Sequence, residues 1–200
     1  MRNAEATKER ILEAALAEFS AHGIAGARVD RIAQAARCNK NLIYIYFEDK
    51  ETLFATVLRK HLMRIHEEQP FTPDDLPGYG AKVFDWALAN PDLMRLMAWS
   101  ALEQQARGDA ERVEALSAKV AALAEAQNAG RLGTAFPPDF LRIAILSLAT
   151  AWSVSSPIGP SLAPKAAERP AALREGLIEA VRLLASAGKR KRTQGRNKER

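Results

Sequence analysis

The chain has 200 residues, 48% of them hydrophobic and 26% charged, which suits one or two domains with a sizeable buried core. Its single cysteine, Cys38, excludes a disulfide framework and fits a reducing compartment. The longest nearly apolar run, residues 143–154, is too short to span a bilayer, and the polar start of the chain lacks the apolar segment of a secretory signal. We therefore expect a cytoplasmic protein without a membrane partner.

The net charge of +5 is concentrated at the carboxyl end. Residues 189–200, KRKRTQGRNKER, hold seven Lys or Arg and one Glu, or +6, so residues 1–188 carry −1. High charge without apolar residues predicts a disordered tail. Such a tail would either add non-specific affinity for DNA or only keep the chain soluble, and the sequence does not choose between these roles.

The first predicted element is an amphipathic helix over residues 4–22, with Gly23 as a left-handed helix end. Its apolar residues recur at the spacing of one helical face. We expect this face to form a small three-helix core with the two short segments that come after it.

Residues 29–47, VDRIAQAARCNKNLIYIYF, contain two short segments joined by a turn. The first has apolar residues at helical spacing, and residues 37–39 are too few for anything but a turn, with Asn39 able to cap the second segment. That second segment, LIYIYF, alternates like a strand, but no second strand lies nearby to pair with it. A helix–turn–helix therefore accounts better for the whole stretch.

Many positions between residues 7 and 51 match one known pattern in register. These positions are Thr7, Lys8, Glu9, Arg10, Ile11, Leu12, Ala15, Phe19, Gly23, Val29, Ile32, Ala33, Ala36, Asn39, Lys40, Ile43, Tyr44, Tyr46, Phe47, Lys50 and Glu51. With them, the first 60 residues resemble the DNA-binding domain of the tetracycline-repressor (TetR) family of bacterial regulators. The chain departs from the family pattern at Ala27-Arg28, where Thr or Ser is common, and at Arg37, where Gly is usual. It departs again at Asn41-Leu42, where Gly-Thr is usual, and these differences bear on base preference rather than on the fold.

The resemblance implies that the helix beginning at Lys40 enters the major groove of double-stranded operator DNA. Lys40 and Asn41 would then reach base edges, while Tyr44 and Tyr46 would donate hydrogen bonds to phosphates. The remaining implied contacts are Leu42 and Ile45 with thymine methyl groups, and Arg28 and Lys50 with phosphates. The two tyrosines would instead be core aromatics in the alternative that the sequence leaves open.

A long helix is predicted over residues 50–68, after a turn at Glu48-Asp49, and it is long enough to join the DNA-reading domain to a carboxy-terminal bundle. Three Pro and two Gly within residues 69–80 predict a linker. Further helices are predicted at 81–89, 91–107, 109–129, 138–155 and 171–186, with a loop at 155–164. We therefore expect an all-α fold of about nine helices. Its predicted parts are a helix-turn-helix domain (1–50), an effector-binding and dimerisation domain (51–188) and the basic tail (189–200).

The second predicted domain is rich in aromatic and methionine side chains, which adapt to irregular apolar ligands. The candidates for an effector pocket, which the resemblance implies, are Phe84, Trp86, Met94, Met97, Trp99, Gln104, Phe140 and Trp152, with Phe136, Ser100 and Gln105 beside them. Because few polar groups accompany them, we expect a small and largely apolar effector of unknown identity. Ordinary core packing is the alternative for each of these residues.

The helices predicted at 138–155 and 171–186 carry stripes of small and apolar residues. The resemblance implies that such a pair forms a two-fold, four-helix dimer interface. The candidate interface residues are Ala144, Ser147, Ala151, Leu173, Leu177, Val181 and Leu184. Burial inside one monomer is the alternative.

No catalytic, metal-binding or cofactor pattern competes with a regulatory function. The histidines are scattered, and His61 and His66, five residues apart, do not share a helical face. We therefore interpret the chain as a homodimeric transcription regulator without a cofactor, with release of a repressor by its effector as the favoured mode. Two rivals remain: a regulator of the same fold that activates or has no effector, and a helical adaptor whose tail binds acidic surfaces.

Overall fold

The computed structural model describes residues 2–68, 71–103, 110–162 and 164–189. Within these ranges the chain is helical and contains no strand, which confirms the all-α prediction. The ten α-helices are α1 (Arg2–Gly26), α2 (Val29–Ala35), α3 (Lys40–Phe47), α4 (Lys50–Glu68), α5 (Leu76–Ala89), α6 (Pro91–Leu102), α7 (Ala110–Asn128), α8 (Pro138–Thr150), α9 (Gly159–Leu162) and α10 (Pro170–Ser186). Short 3-10 segments cover Pro73–Asp75 and Pro164–Glu168. In this part of the chain, no helix combines the length and hydropathy needed to cross a membrane.

The amino-terminal helices enclose one hydrophobic cluster. Phe19 of α1 and Phe54 of α4 meet edge to face with ring centroids 5.1 Å apart, and Ile43 and Phe47 of α3 are buried beside them. The LIYIYF segment is therefore helical, and its aromatic and branched side chains contribute to a helical core rather than to a sheet. Leu96 of α6 is also fully buried in this cluster, so a helix of the second predicted domain contributes to the core of the first.

Helix α1 extends past the predicted end at His22 but is interrupted at Gly23, whose φ is 66° and ψ is −176°. The positive φ agrees with the prediction, but the ψ value is not that of a left-handed helix end. This backbone region is open essentially to glycine alone. The interruption leaves the N–H of Ile24 open to a partner outside the helix.

Local hydrogen bonds cap the start of α3 and the start of α4. At its start, Oδ1 of Asn39 accepts a hydrogen bond from the Asn41 N–H at 2.9 Å, which confirms the predicted cap. At the turn after α3, Glu48 has a φ of 62°, and the carboxylate of Asp49 accepts a 2.6 Å hydrogen bond from the Thr52 N–H. Hydrogen bonds from Thr52 lower the pKa of Asp49, because they favour its ionised form. The turn before α3 places Arg37 at φ 52°, the position where the resemblance expects glycine.

A second hydrophobic cluster lies among α5, α7, α8 and α10, with Phe84, Leu123, Ile145 and Val181 among its buried residues. The predicted linker is wrong from Leu76 onwards, because α5 begins there. The carboxylate of Asp75 caps this helix by accepting the Gly78 N–H at 2.9 Å, and proline suits its first turn. Proline and glycine here mark a helix start rather than a connection.

Three other predicted boundaries need correction. Helix α6 ends at Leu102 rather than at residue 107, and α8 ends at Thr150 rather than at Ser155. The predicted loop at 155–164 contains the single turn of α9 and the start of a 3-10 segment. Residues 69–70 and 104–109 lie outside the described part, as does the predicted tail beyond Lys189.

Candidate DNA-binding surface and effector cavity

Helix α3 has one buried face and one exposed face. Ile43 and Phe47 point into the core, whereas Tyr44 is 43% exposed and Ile45 is 71% exposed. Asn41 is also exposed at the amino end of the helix. An isoleucine this exposed gains nothing from the core, so the outer face of α3 has the apolar and hydrogen-bonding groups that base edges require.

Lys40 forms an ion pair across the helix–turn–helix. Its Nζ lies 2.8 Å from Oδ1 of Asp30 on α2, and this hydrogen bond raises the pKa of Lys40. Both side chains are exposed, so the pair is weak and open to competition from a phosphate or a base. A contact of Lys40 with DNA would compete with Asp30 or share the three N–H donors of the ammonium with it.

Side chains of Glu18 and Lys50 contact the backbone of the turn between α1 and α2. The Glu18 carboxylate accepts the Arg28 N–H at 2.8 Å and Nε of Arg31 at 2.7 Å. Burial opposes ionisation of Glu18, but the hydrogen bonds from Arg31 and Arg28 outweigh it and lower its pKa. Nζ of Lys50 lies 3.4 Å from the Ala27 carbonyl oxygen, so Lys50 and the exposed Arg28 side chain stand at neighbouring positions.

Two predicted contacts of α3 are less exposed. Tyr46 is half-buried, packs on the amino-terminal cluster, and places its ring edge-on to that of Phe47 at 6.3 Å. Leu42 is also half-buried. Their contacts with DNA remain predictions.

A cavity of about 520 Å³ opens between α4, α5, α6, α7 and α8. It is lined by three predicted pocket residues, Trp86, Met94 and Met97, and by Ser147, which the sequence assigned to the dimer interface. The other lining residues are Leu62, Tyr79, Val83, Ala98, Leu116, Lys119, Arg142, Ile143, Leu146, Thr150 and Ser155. Its volume is in the range of small-molecule sites.

The remaining predicted pocket residues lie elsewhere. Phe84 is buried in the second cluster, and Phe140 is 50% exposed and stacks on Phe136 with centroids 5.2 Å apart. Trp152 lines a separate cavity of about 420 Å³ together with Ala151 and Ser147. Gln104 lies outside the described residues.

Trp99 faces α1 instead of the cavity. Its indole Nε1 donates a 3.2 Å hydrogen bond to the Ser20 carbonyl oxygen, and its ring lies so close to Gly23 that a Cβ there would be 2.9 Å from Cε3. One turn later, both carboxylate oxygens of Glu103 accept the Ile24 N–H at 3.1 Å. We call these interactions the α1–α6 contact.

The sequence prediction also missed two basic residues of the cavity wall, Arg142 and Lys119. Arg142 is only 6% exposed, and its guanidinium lies 5.4 Å from the centroid of the Phe71 ring. Burial and the neighbouring charge of Arg142 lower the pKa of Lys119. The signal was present in the sequence as a single arginine within the apolar segment FLRIAILSLA.

The predicted interface residues fall into two groups. Leu177 and Val181 are buried in the second cluster, with Leu173 and Leu184 packed against it, as the monomer-core alternative expects. Ala144 and Ala151 are half-buried and Ser147 is exposed. Large apolar side chains exposed on or beside α8, α9 and α10 are Ile143, Val154, Ile158, Leu162 and Leu183.

Comparisons with known proteins agree with this architecture. Residues 11–57 match the family model for bacterial regulatory proteins of the tetR family, and residues 75–182 match a tetracyclin repressor-like C-terminal domain. The chain is 43% identical over 159 residues to the HTH-type transcriptional repressor SCO4008 of Streptomyces coelicolor, covering 78% of this chain and 82% of that protein. It is 30% identical over 108 residues to the repressor NicS of Pseudomonas putida, over 50% of this chain and 51% of NicS.

Among solved structures, the chain is similar to the transcriptional regulator SCO4942 of Streptomyces coelicolor, with a TM-score of 0.76 and 38% identity. The alignment covers 88% of this chain and 96% of that one. These relatives and both matched families are transcriptional regulators rather than enzymes. The chain belongs to the TetR family of DNA-binding transcriptional regulators.

Proposed function

We propose that this regulator is a homodimeric repressor that binds operator DNA through α3 and is released when a small molecule fills the cavity between α4 and α8. The observation that carries the proposal is the position of α6. Met94 and Met97 face the cavity, whereas Trp99 and Glu103 bind α1 of the DNA-reading domain. One helix therefore touches both the cavity and the helix that supports α2 and α3.

In this proposal, side chains at the amino end of α3 select the base sequence of the operator. Asn41 is exposed there, and Lys40 is held nearby by Asp30 until DNA competes for it. The exposed Ile45 would supply an apolar contact for a thymine methyl group, and the exposed Tyr44 would donate a hydrogen bond from its hydroxyl to a phosphate. Lys50 and Arg28 would position the domain on the backbone without selecting sequence.

Tight binding would need two copies of the chain, each with one DNA-reading domain in a half-site of the operator. The two domains must then lie about 34–36 Å apart, or a multiple of that distance, to meet major grooves on one face of the DNA. The apolar side chains exposed on α8, α9 and α10 support an interface at this end of the molecule. This surface includes Leu162 and Leu183 rather than the predicted Leu177 and Val181, which the monomer already buries.

Ligand entry would act on DNA binding through α6. A molecule among Met94, Met97 and Trp86 changes the packing on one side of this helix. The other side of α6 contacts α1 where the α1 backbone is interrupted at Gly23. A shift of α6 would therefore move the DNA-reading domain and change the distance between the two DNA-reading domains of the dimer. Small shifts are amplified in this way when packed elements have alternative arrangements.

The test is a DNA titration at several salt concentrations, with the DNA upstream of the protein's own gene and random DNA of equal length. We expect tighter binding to the upstream DNA, and Asn41→Ala should cost about 1–3 kcal/mol at particular base pairs. Asn128→Ala, at the exposed end of α7, is the matched control. Equal binding of both DNAs at every salt concentration would refute sequence-specific regulation and favour the adaptor alternative.

A further inference from the structure

We propose that the cavity binds an amphipathic monoanion, with a carboxylate held by Arg142 and a hydrocarbon or aromatic body held by the apolar wall. The inference rests on the proposed function, since it names the chemical class of the effector for the same cavity. It adds a single negative charge to the small, largely apolar effector that the sequence predicts.

Arg142 is a buried cation with an unfilled hydrogen-bonding position. The residue is 6% exposed, and its Nη1 has no hydrogen-bond acceptor in the described part of the chain. A guanidinium is always charged and has no acceptor of its own, so it cannot relieve the cost of burial by losing a proton. The face of the Phe71 ring, 5.4 Å from the guanidinium carbon, offsets only part of this cost.

The cavity wall has positive charge and no carboxylate among the lining residues that the structure describes. Arg142 and Lys119 are its two basic members, and burial together with the neighbouring charge of Arg142 lowers the pKa of Lys119. An anion placed beside Arg142 would be attracted by the guanidinium. A cationic ligand would have to enter against that charge.

The rest of the wall suits an apolar body. Trp86, Met94, Met97 and Leu116 present aromatic, thioether and aliphatic surface, and the cavity of about 520 Å³ suits a small molecule. Two basic groups in so apolar a wall favour a single negative charge over a polyanion, which would lose more hydration than they could replace. The flat guanidinium fork matches the two oxygens of a carboxylate.

The experiment compares pairs of molecules that differ only in charge, by calorimetric titration into the full chain. The probes are 4-phenylbutyrate, 1-naphthaleneacetate and decanoate, each with its primary amide, and 4-phenylbutylamine as a cation. Charged hydrogen bonds of this kind should make at least one acid bind about tenfold or more tightly than its amide. Arg142→Met should abolish that preference and leave the affinity for the amide nearly unchanged.

Two further variants complete the test. Arg142→Lys should keep part of the preference, because it retains the charge without the fork, and it serves as the readout if Arg142→Met does not fold. Arg174→Met is the matched control, because Arg174 lies on α10 in an exposed ion pair with Asp85. The proposal is overturned if no acid binds better than its amide, if the preference survives both Arg142 variants, or if 4-phenylbutylamine binds most tightly.

The same molecules in a DNA titration separate this inference from the proposed function. An acid that binds through Arg142 without weakening DNA binding would leave the anion site standing and refute release by the effector. Release of DNA by an amide or by the amine, unaffected by Arg142→Met, would support release and refute the anion site.

Discussion

Replacement of Glu103 by alanine tests whether the α1–α6 contact carries the signal from the cavity. The change removes the carboxylate whose two oxygens both accept the Ile24 N–H at 3.1 Å. It leaves the cavity wall intact, since Glu103 is not among the residues that line it. A change in the response to ligand would therefore arise outside the ligand site.

The expected magnitude is set by the contact itself. A hydrogen bond to a charged group contributes about 1.5–3 kcal/mol to stability when buried. Glu103 is only half-buried, so we expect Glu103→Ala to lower the free energy of unfolding by about 1–2 kcal/mol. The coupling free energy between a ligand site and a DNA site is typically about 1–3 kcal/mol. If the α1–α6 contact carries this coupling, Glu103→Ala should remove about 1 kcal/mol of it. The factor by which a ligand weakens DNA binding should then be about fivefold smaller.

The assay combines urea unfolding with DNA titrations in the presence and absence of the probe acid that binds most tightly in calorimetry. Glu103→Gln retains one acceptor oxygen, so it should lose less of the free energy of unfolding and less of the ligand's effect on DNA affinity. Glu175→Ala, at an exposed carboxylate of α10, is the control and should change neither. If Glu103→Ala lowers stability while the ratio of DNA affinities with and without ligand stays unchanged, the contact is structural and the coupling runs elsewhere.

Four other changes have defined outcomes. Lys50→Ala should weaken binding equally on all DNA sequences and reduce by about 1 the slope of log affinity against log salt concentration. The control Lys82→Ala on α5 should do neither. An unchanged slope for Lys50→Ala would mean that Lys50 has a structural role. Asp30→Asn should tighten DNA binding a few fold at low salt, because it frees Lys40 and removes a negative charge, and weaker binding would contradict this. Arg37→Gly should raise the free energy of unfolding by about 0.5–1 kcal/mol in urea titrations, because Arg37 has a φ of 52° that glycine adopts without strain. A lower free energy of unfolding would show that contacts of the Arg37 side chain contribute more than the backbone strain costs. Removal of residues 189–200 should lower affinity for random DNA most at low salt and leave site preference unchanged, as measured by competition titrations.

The helix–turn–helix could be predicted because local chemistry and global packing agree there. Asn39 is a good cap in any context, and Ile43 and Phe47 are spaced to share one helical face. The lack of a partner strand argues against the strand that the alternation of LIYIYF suggests, and the resemblance to the TetR DNA-binding domain decides for a helix. Local preference alone would have given the wrong element.

The α1–α6 contact could not be predicted, because it joins residues 79 positions apart whose types are common on solvated surfaces. Nothing in the sequence near Glu103 shows that an N–H is left open at Ile24. That N–H is open because Gly23 adopts a backbone angle that interrupts α1. Trp99 was assigned to the pocket for a similar reason, since aromatic composition does not tell which side of α6 faces α1.

The two faces of α6 also decide which experiments can locate the ligand site. Trp99→Ala cannot do so, because it removes a 3.2 Å hydrogen bond to Ser20 and packing against Gly23. A loss of DNA binding in that variant would follow from damage to α1 whether or not a ligand exists. Met94 lies five positions earlier on α6 and lines the cavity, so Met94→Ala alters the ligand side. Pairing Met94→Ala with Glu103→Ala in a double-mutant cycle then measures whether the two faces of one helix act as a unit, since independent effects would add.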